Sequence, residues 1–124
     1  NNVAKYDKSI RDAIVFEFWM NHDAVISCMK TSDVFLSSSL YEGYGLSMLE
    51  AYIAGTVVVA TDAGIAPLIA HDACLVVPGD MKGMTRALNA ALSGKVTNKS
   101  YVYPYASKQN YLDLYKADIE RTLL

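Results

Sequence analysis

The apolar positions of this chain fall into two alternating rhythms. Residues 13–19, 33–38, 56–60 and 74–77 are short runs rich in Val, Ile, Phe and Leu, the pattern of strands. Between them apolar side chains recur every three to four positions, the pattern of one helix face. Asn21 is placed to cap a helix running through Lys30, with Ala24, Val25, Cys28 and Met29 on one face. A second helix is expected over 45–54, ended by Gly55. A short helix over 65–70 and an amphipathic one over 81–92 follow, the latter with Met84, Ala87, Leu88 and Ala91 on one side. Residues 1–13 are polar and read as irregular, 95–105 as a linker, and 106–124 as a long terminal helix.

Strand and helix therefore alternate four times. Parallel strands joined by helical crossovers give this pattern, so the expected class is α/β, a doubly wound parallel sheet of about four strands with flanking helices. The run 56–60 is nearly all β-branched, which suits a strand buried on both faces. There is no repeat and no internal boundary, so the 124 residues read as one domain with its core over 13–92.

Charge narrows the function classes. The net charge is −2 and no long run of Lys or Arg occurs, which argues against a nucleic-acid partner. Cys28 and Cys74 are isolated, and no Cys/His ligand spacing accompanies them, so no metal is expected. They read as buried free thiols in a reducing, cytoplasmic compartment. No segment is long and apolar enough to span a membrane, and the N-terminus lacks a signal-peptide pattern. The first residue is Asn, which reads as a processing boundary or the edge of a longer product.

In an open parallel sheet, ligands bind beyond the carboxyl ends of the strands. Three loops leave such ends, 40–45, 61–65 and 78–80, and each contains glycine. The first is the richest. Gly43 and Gly45 let another molecule approach the backbone, and the following helix start offers unpaired N–H groups to an anion. Glu42 precedes that helix and Glu50 lies inside it. Side chains on a helix lean back toward its N-terminus, so Glu50 is expected to reach toward the mouth. Its neighbours Leu46, Met48, Leu49, Ala51 and Ile53 are apolar, company in which a carboxylate needs hydrogen-bond partners. Two carboxylates beside an anion site suit a ligand that carries both phosphate and hydroxyls, such as a nucleotide sugar. The plainer reading is a pair of carboxylates favouring the helix dipole. That reading is the commoner one for an isolated pair, and the glycines on both sides of Tyr44 weigh against it.

The run from Asp33 through Glu42, Gly43, Tyr44, Gly45, Leu46 and Glu50 to Thr61 and Asp62 closely resembles the donor-binding domain of retaining GT-B glycosyltransferases. The family's Glu-x7-Glu motif falls on Glu42 and Glu50, and residues 74–80 resemble its next strand and loop. The resemblance implies a Rossmann-like half of a GT-B fold that moves a hexose from a nucleoside-diphosphate sugar to an acceptor with retention of configuration. By the same resemblance Glu42 would be catalytic, contacting the transferred sugar near the reacting centre. The backbone N–H groups of Gly43, Tyr44, Gly45 and Leu46 would hold sugar hydroxyls and the diphosphate, and Glu50 would bind the ribose. No cofactor or metal is implied, and the nucleotide sugar is a substrate. The loop after Asp62 runs one residue shorter than the family's usual Gly-Gly and Pro-Glu pattern. The family's diphosphate-neutralising Arg and Lys have no counterpart in residues 1–20, where Lys5, Lys8 and Arg11 stand in another context. The acceptor domain is also unmatched. The chain is thus expected to be a partial donor domain, inactive alone, completed by an N-terminal acceptor domain or a partner chain. Peripheral membrane association is expected at most for the parent protein.

Other residues carry plainer readings. His22 is expected in the first turn of a helix at the surface, and His71 just after a short helix, placed to favour its C-terminal dipole. Residues 37–39 are three serines without a nucleophile elbow. Tyr101, Tyr103, Tyr105, Tyr111 and Tyr115 read as packing for the terminal helix rather than as base-stacking groups. A non-enzymatic Rossmann-like assembly or regulatory subunit is the alternative function. A receiver-like signalling domain ranks last, because the acidic cluster expected at its first strand end is missing.

Overall fold

The computed structural model describes residues 2–101. The chain begins with a 3-10 turn, Asn2–Lys5, and a short helix α1, Lys8–Asp12. Helix α2, His22–Thr31, leads to strand β1, Val34–Ser37. Helix α3, Leu46–Ile53, leads to β2, Val57–Thr61. A single-turn helix α4, Ala66–Ile69, and a 3-10 turn, Asp72–Cys74, precede β3, Leu75–Val76. Helix α5, Met81–Leu92, follows. The sheet has the order β1-β2-β3 with both pairs parallel, so the fold is α/β as expected. Val34 pairs with Val57 and Ala60 with Leu75.

The local signals act where the sequence placed them. Asn21 Oδ1 accepts from Ala24 N at 2.8 Å, which satisfies one of the amides left open at the start of α2. Asp80 caps α5 in the same way through Gly83 N at 2.8 Å. Gly45 precedes α3 at φ 89°, a left-handed conformation that a side chain would strain.

β2 is the spine. Val58 and Ala60 face a cluster of Met29, Met48 and Leu49 from α2 and α3, Ile65 just before α4, and Ile69 within it. Val59 faces the other way, against Cys74, Val76, Met84, Ala87 and Ala91. Burial on both faces is what a β-branched central strand requires. The strand on its far side is only two residues long and meets β2 at Ala60 and Thr61. Below that point a side chain continues the ladder. Asn98 Oδ1 accepts from Val58 N at 2.9 Å, and Asn98 Nδ2 donates to Thr56 O at 2.7 Å. Thr56, Val58 and Ala60 share one side of the backbone by the two-residue repeat of a strand, so the amide stands where another peptide group would. Neighbouring residues fasten the same segment: Lys99 N donates to Ile69 O at 2.8 Å, and Tyr101 N to the Tyr52 hydroxyl at 3.0 Å, with the two rings edge to face.

Three expectations are corrected. Residues 13–19 form no strand, and the described residues contain three strands rather than four. Strand propensity describes fit to a half-buried pleated surface, and this run meets none. Phe18 is 95% exposed and Trp19 82%. The first thirteen residues are not irregular throughout, since they form the 3-10 turn and α1. Cys28 is exposed, whereas Cys74 is buried as expected. His71 follows α4 and its C-cap Ala70, as expected. Its Nδ1 accepts from Ala73 N at 3.1 Å and opens the following 3-10 turn. The terminal helix expected over 106–124 lies outside the described residues.

Candidate functional site

All three strands are parallel, so the loops that follow them emerge at one end of the sheet. Hydrogen bonds tie these loops together. Thr61 Oγ1 at the end of β2 donates to Ser39 O at 2.5 Å. Ile65 N donates to Tyr44 O at 2.8 Å, and Asp62 N donates to Val76 O at 2.7 Å. The loop after β1 is therefore held by the loop after β2, which is held in turn by β3.

Two glycines make the first contact possible. Gly64 has φ 55°, and a Cβ built there would stand 2.5 Å from Tyr44 O and 3.0 Å from Glu42 Cβ. A Cβ on Gly45 would stand 2.3 Å from Met48 Cε, because the loop lies directly on that buried methionine. Gly43 is different. A Cβ there would meet nothing within 4 Å, so its backbone faces open space. The glycine loop thus has a packed floor and an open outer side.

The candidate residues occupy this loop and the helix behind it. Glu42 is half-buried and its Oε1 accepts from Ser39 Oγ at 2.8 Å. Gly43, Tyr44 and Gly45 carry the chain into α3, and Leu46 is its first residue. Met48 N and Leu49 N donate to Gly45 O, so the amides that come before them have no acceptor within the helix. Glu50 lies in the second turn of α3 on the side facing α2. Its Oε1 stands 3.9 Å from His22 Nδ1, with the carboxylate side chain 37% exposed and the imidazole 69%. Sequence reasoning placed His22 in a first helical turn at the surface, and it is there. It missed the approach to Glu50, for which the linear sequence carries no signal. It also missed Ser39 and Gly64 as supports of Glu42 and Tyr44.

A cavity of 140 Å³ opens between the first and third loops, lined by Ser38, Leu40, Thr61, Val77, Gly79, Asp80, Met81 and Met84. Neither glutamate lines it. Charged groups on the flanks are paired: Arg86 Nη2 with Asp80 Oδ2 at 3.4 Å, and Lys99 Nζ with Asp72 Oδ1 at 2.6 Å. The Lys99 ammonium, by hydrogen bond and then by charge, holds the Asp72 carboxyl below its ordinary value. Burial pushes the Cys74 thiol up. Among the described residues no three His, Cys, Asp or Glu side chains gather as a metal site would require.

Two curated relatives resemble the chain. A 2-deoxystreptamine N-acetyl-D-glucosaminyltransferase of Streptomyces fradiae is 33% identical over 123 residues, 92% of this chain and 28% of that protein. An uncharacterized glycosyltransferase of Methanocaldococcus jannaschii is 37% identical over 68 residues, 54% of this chain and 17% of that protein. The chain therefore spans less than a third of the length of either relative. No solved structure matches it significantly. The family profile described as "Glycosyl transferases group 1" matches residues 4–109, most of the chain and all of the sheet, and the chain belongs to that family.

Proposed function

We propose that this chain supplies the donor-binding surface of a retaining glycosyltransferase that moves a hexose from a nucleoside-diphosphate sugar to an acceptor. The observation that carries the reading is the open glycine loop entering α3 with Glu42 before it and Glu50 behind it. A nucleotide sugar offers hydroxyls at both ends and negative charge between them. A carboxylate accepts from hydroxyls, and helix-start amides donate to phosphate, so the three parts of the site match the three parts of the ligand in order. Glu42, held by Ser39, takes the hexose near the reacting carbon. The amides of Gly43, Tyr44, Gly45 and Leu46 face the sugar hydroxyls and the diphosphate. Glu50 takes the ribose diol.

The step itself breaks the bond between the sugar and the diphosphate. The largest electrostatic task is to stabilise the departing diphosphate. The helix start contributes a partial positive charge, about half an elementary charge. Arg86 and Lys99 are engaged with Asp80 and Asp72. The remaining positive charge, and the acceptor site, belong on this reading to the rest of the parent protein or a partner chain. The 124 residues alone are expected to catalyse little or no transfer.

Titration calorimetry of the intact protein against UDP-, GDP- and ADP-sugars tests the proposal. One of them binds, and Glu50→Gln weakens it about tenfold, the scale of a lost hydrogen bond to a charged group. Glu42→Gln lowers transfer while leaving the affinity for the bare nucleoside diphosphate near that of the wild type. Failure of the whole panel to bind refutes the reading.

A further inference from the structure

The groups of a nucleoside-diphosphate sugar come in a fixed order: sugar, two phosphates, ribose, base. The two glutamates lie toward opposite flanks of the glycine loop. Glu42 faces the loop after β2, where Gly64 approaches its Cβ. Glu50 faces α2, which precedes β1, and His22 of α2 stands beside it. A ligand with its sugar at Glu42 and its ribose at Glu50 carries its base onward toward α2. The side chain waiting there is His22.

We infer that His22 is a nucleotide-binding residue, its imidazole ring forming the surface on which the base rests when Glu50 holds the ribose. The inference depends on the nucleotide-sugar reading above. Three observations support it. The 3.9 Å separation from Glu50 exceeds a hydrogen bond, so that contact does not tie up the ring nitrogen. The ring is largely open to solvent, so a flat partner can cover it. Its backbone is fixed, because Asn21 caps the same helical turn through Ala24. A planar ring beside a ribose-binding carboxylate can stack on any base, and a base–aromatic contact is sequence-tolerant and substantial. A mere surface pair with Glu50 would be worth little and would not favour nucleotides over other phosphates.

The test uses the intact protein in titration calorimetry with UDP, GDP, ADP and inorganic pyrophosphate. His22→Ala weakens the best nucleoside diphosphate about tenfold and leaves pyrophosphate unchanged. His22→Phe, which keeps a flat ring, stays within about threefold of the wild type. Equal weakening of pyrophosphate and nucleotide would show a merely structural role and overturn the inference. So would unchanged nucleotide binding in His22→Ala, or a His22→Phe variant as weak as the alanine one. A wild-type protein that binds no nucleoside diphosphate refutes the parent reading as well, which separates the two failures.

Discussion

Asn98 offers the sharpest test of how this small sheet holds together. Replacing it with alanine removes the acceptor of Val58 N and the donor to Thr56 O. Both backbone groups belong to residues that are buried, Val58 at 0% exposure and Thr56 at 3%. An unsatisfied buried polar group costs about 1–3 kcal/mol, so two would cost up to about 6 kcal/mol in a dry site. The site is not dry. Asn98 is half-buried and borders an open pocket of 420 Å³ with Tyr52, Gly55, Val57, Thr97, Lys99 and Ser100, which admits water to the vacated position. Water recovers part of the loss, and about 2 kcal/mol remains. For a domain of this size that lowers the melting temperature by about 6–12 °C. Urea unfolding followed by far-UV circular dichroism is the suitable assay, because Trp19, the sole tryptophan, is already exposed and reports poorly on the core. Asn98→Asp serves as a second probe. It keeps an acceptor for Val58 N, but sets a carboxylate against Thr56 O, and is expected to lose at least as much at neutral pH. A loss below about 0.5 kcal/mol in Asn98→Ala would refute the reasoning, since water would then replace the amide fully.

Further expectations concern the loops and the titrating groups. Gly64→Ala meets both a left-handed backbone and the Tyr44 carbonyl; we expect a loss of at least about 1–2 kcal/mol and weaker nucleotide-sugar binding, read by urea unfolding and calorimetry. The Asp72 carboxyl is depressed by Lys99, so its contribution to stability is present above the ordinary value of 3.8 and is lost as pH falls through the lower folded value. In Lys99→Met the Asp72 midpoint, followed by NMR, rises toward 3.8 and the contribution disappears. Cys28 is exposed and Cys74 buried with its thiol pushed up, so a disulfide reagent labels one thiol in the native protein and the second only on unfolding. Prompt labelling of both would contradict the burial of Cys74.

Elements whose cause is local were the ones legible in the sequence. The Asn21 cap, the amphipathic helix over 81–92 and the β-branched central strand each carry their signal within a few residues, and each formed where it was expected. The strand expected at 13–19 failed because a strand also needs a neighbour, which no local pattern supplies. Cys28 failed for a related reason. Helical spacing placed it on one face with Met29, but α2 buries Met29 and leaves Cys28 exposed. At the site, the glycine loop and the flanking carboxylates were legible because they are contiguous. The supports were not. Thr61 reaches Ser39, Ile65 reaches Tyr44, and His22 approaches Glu50 across gaps in the chain that only folding closes. Asn98 shows the same limit, since a residue in a polar stretch became part of the sheet.

Among the described residues β1 is paired on one side only, and Leu36 within it is exposed. An open strand edge presents a row of amides and carbonyls to any extended chain, including a second copy. The exposed run at 14–19, with Val15, Phe16, Phe18 and Trp19, adds apolar surface just upstream of α2 and that edge. For anyone preparing these residues in isolation, concentration rather than temperature then becomes the governing variable. The molecule is guarded against unfolding by its core and its amide-completed ladder, but this flank has no corresponding guard against self-association.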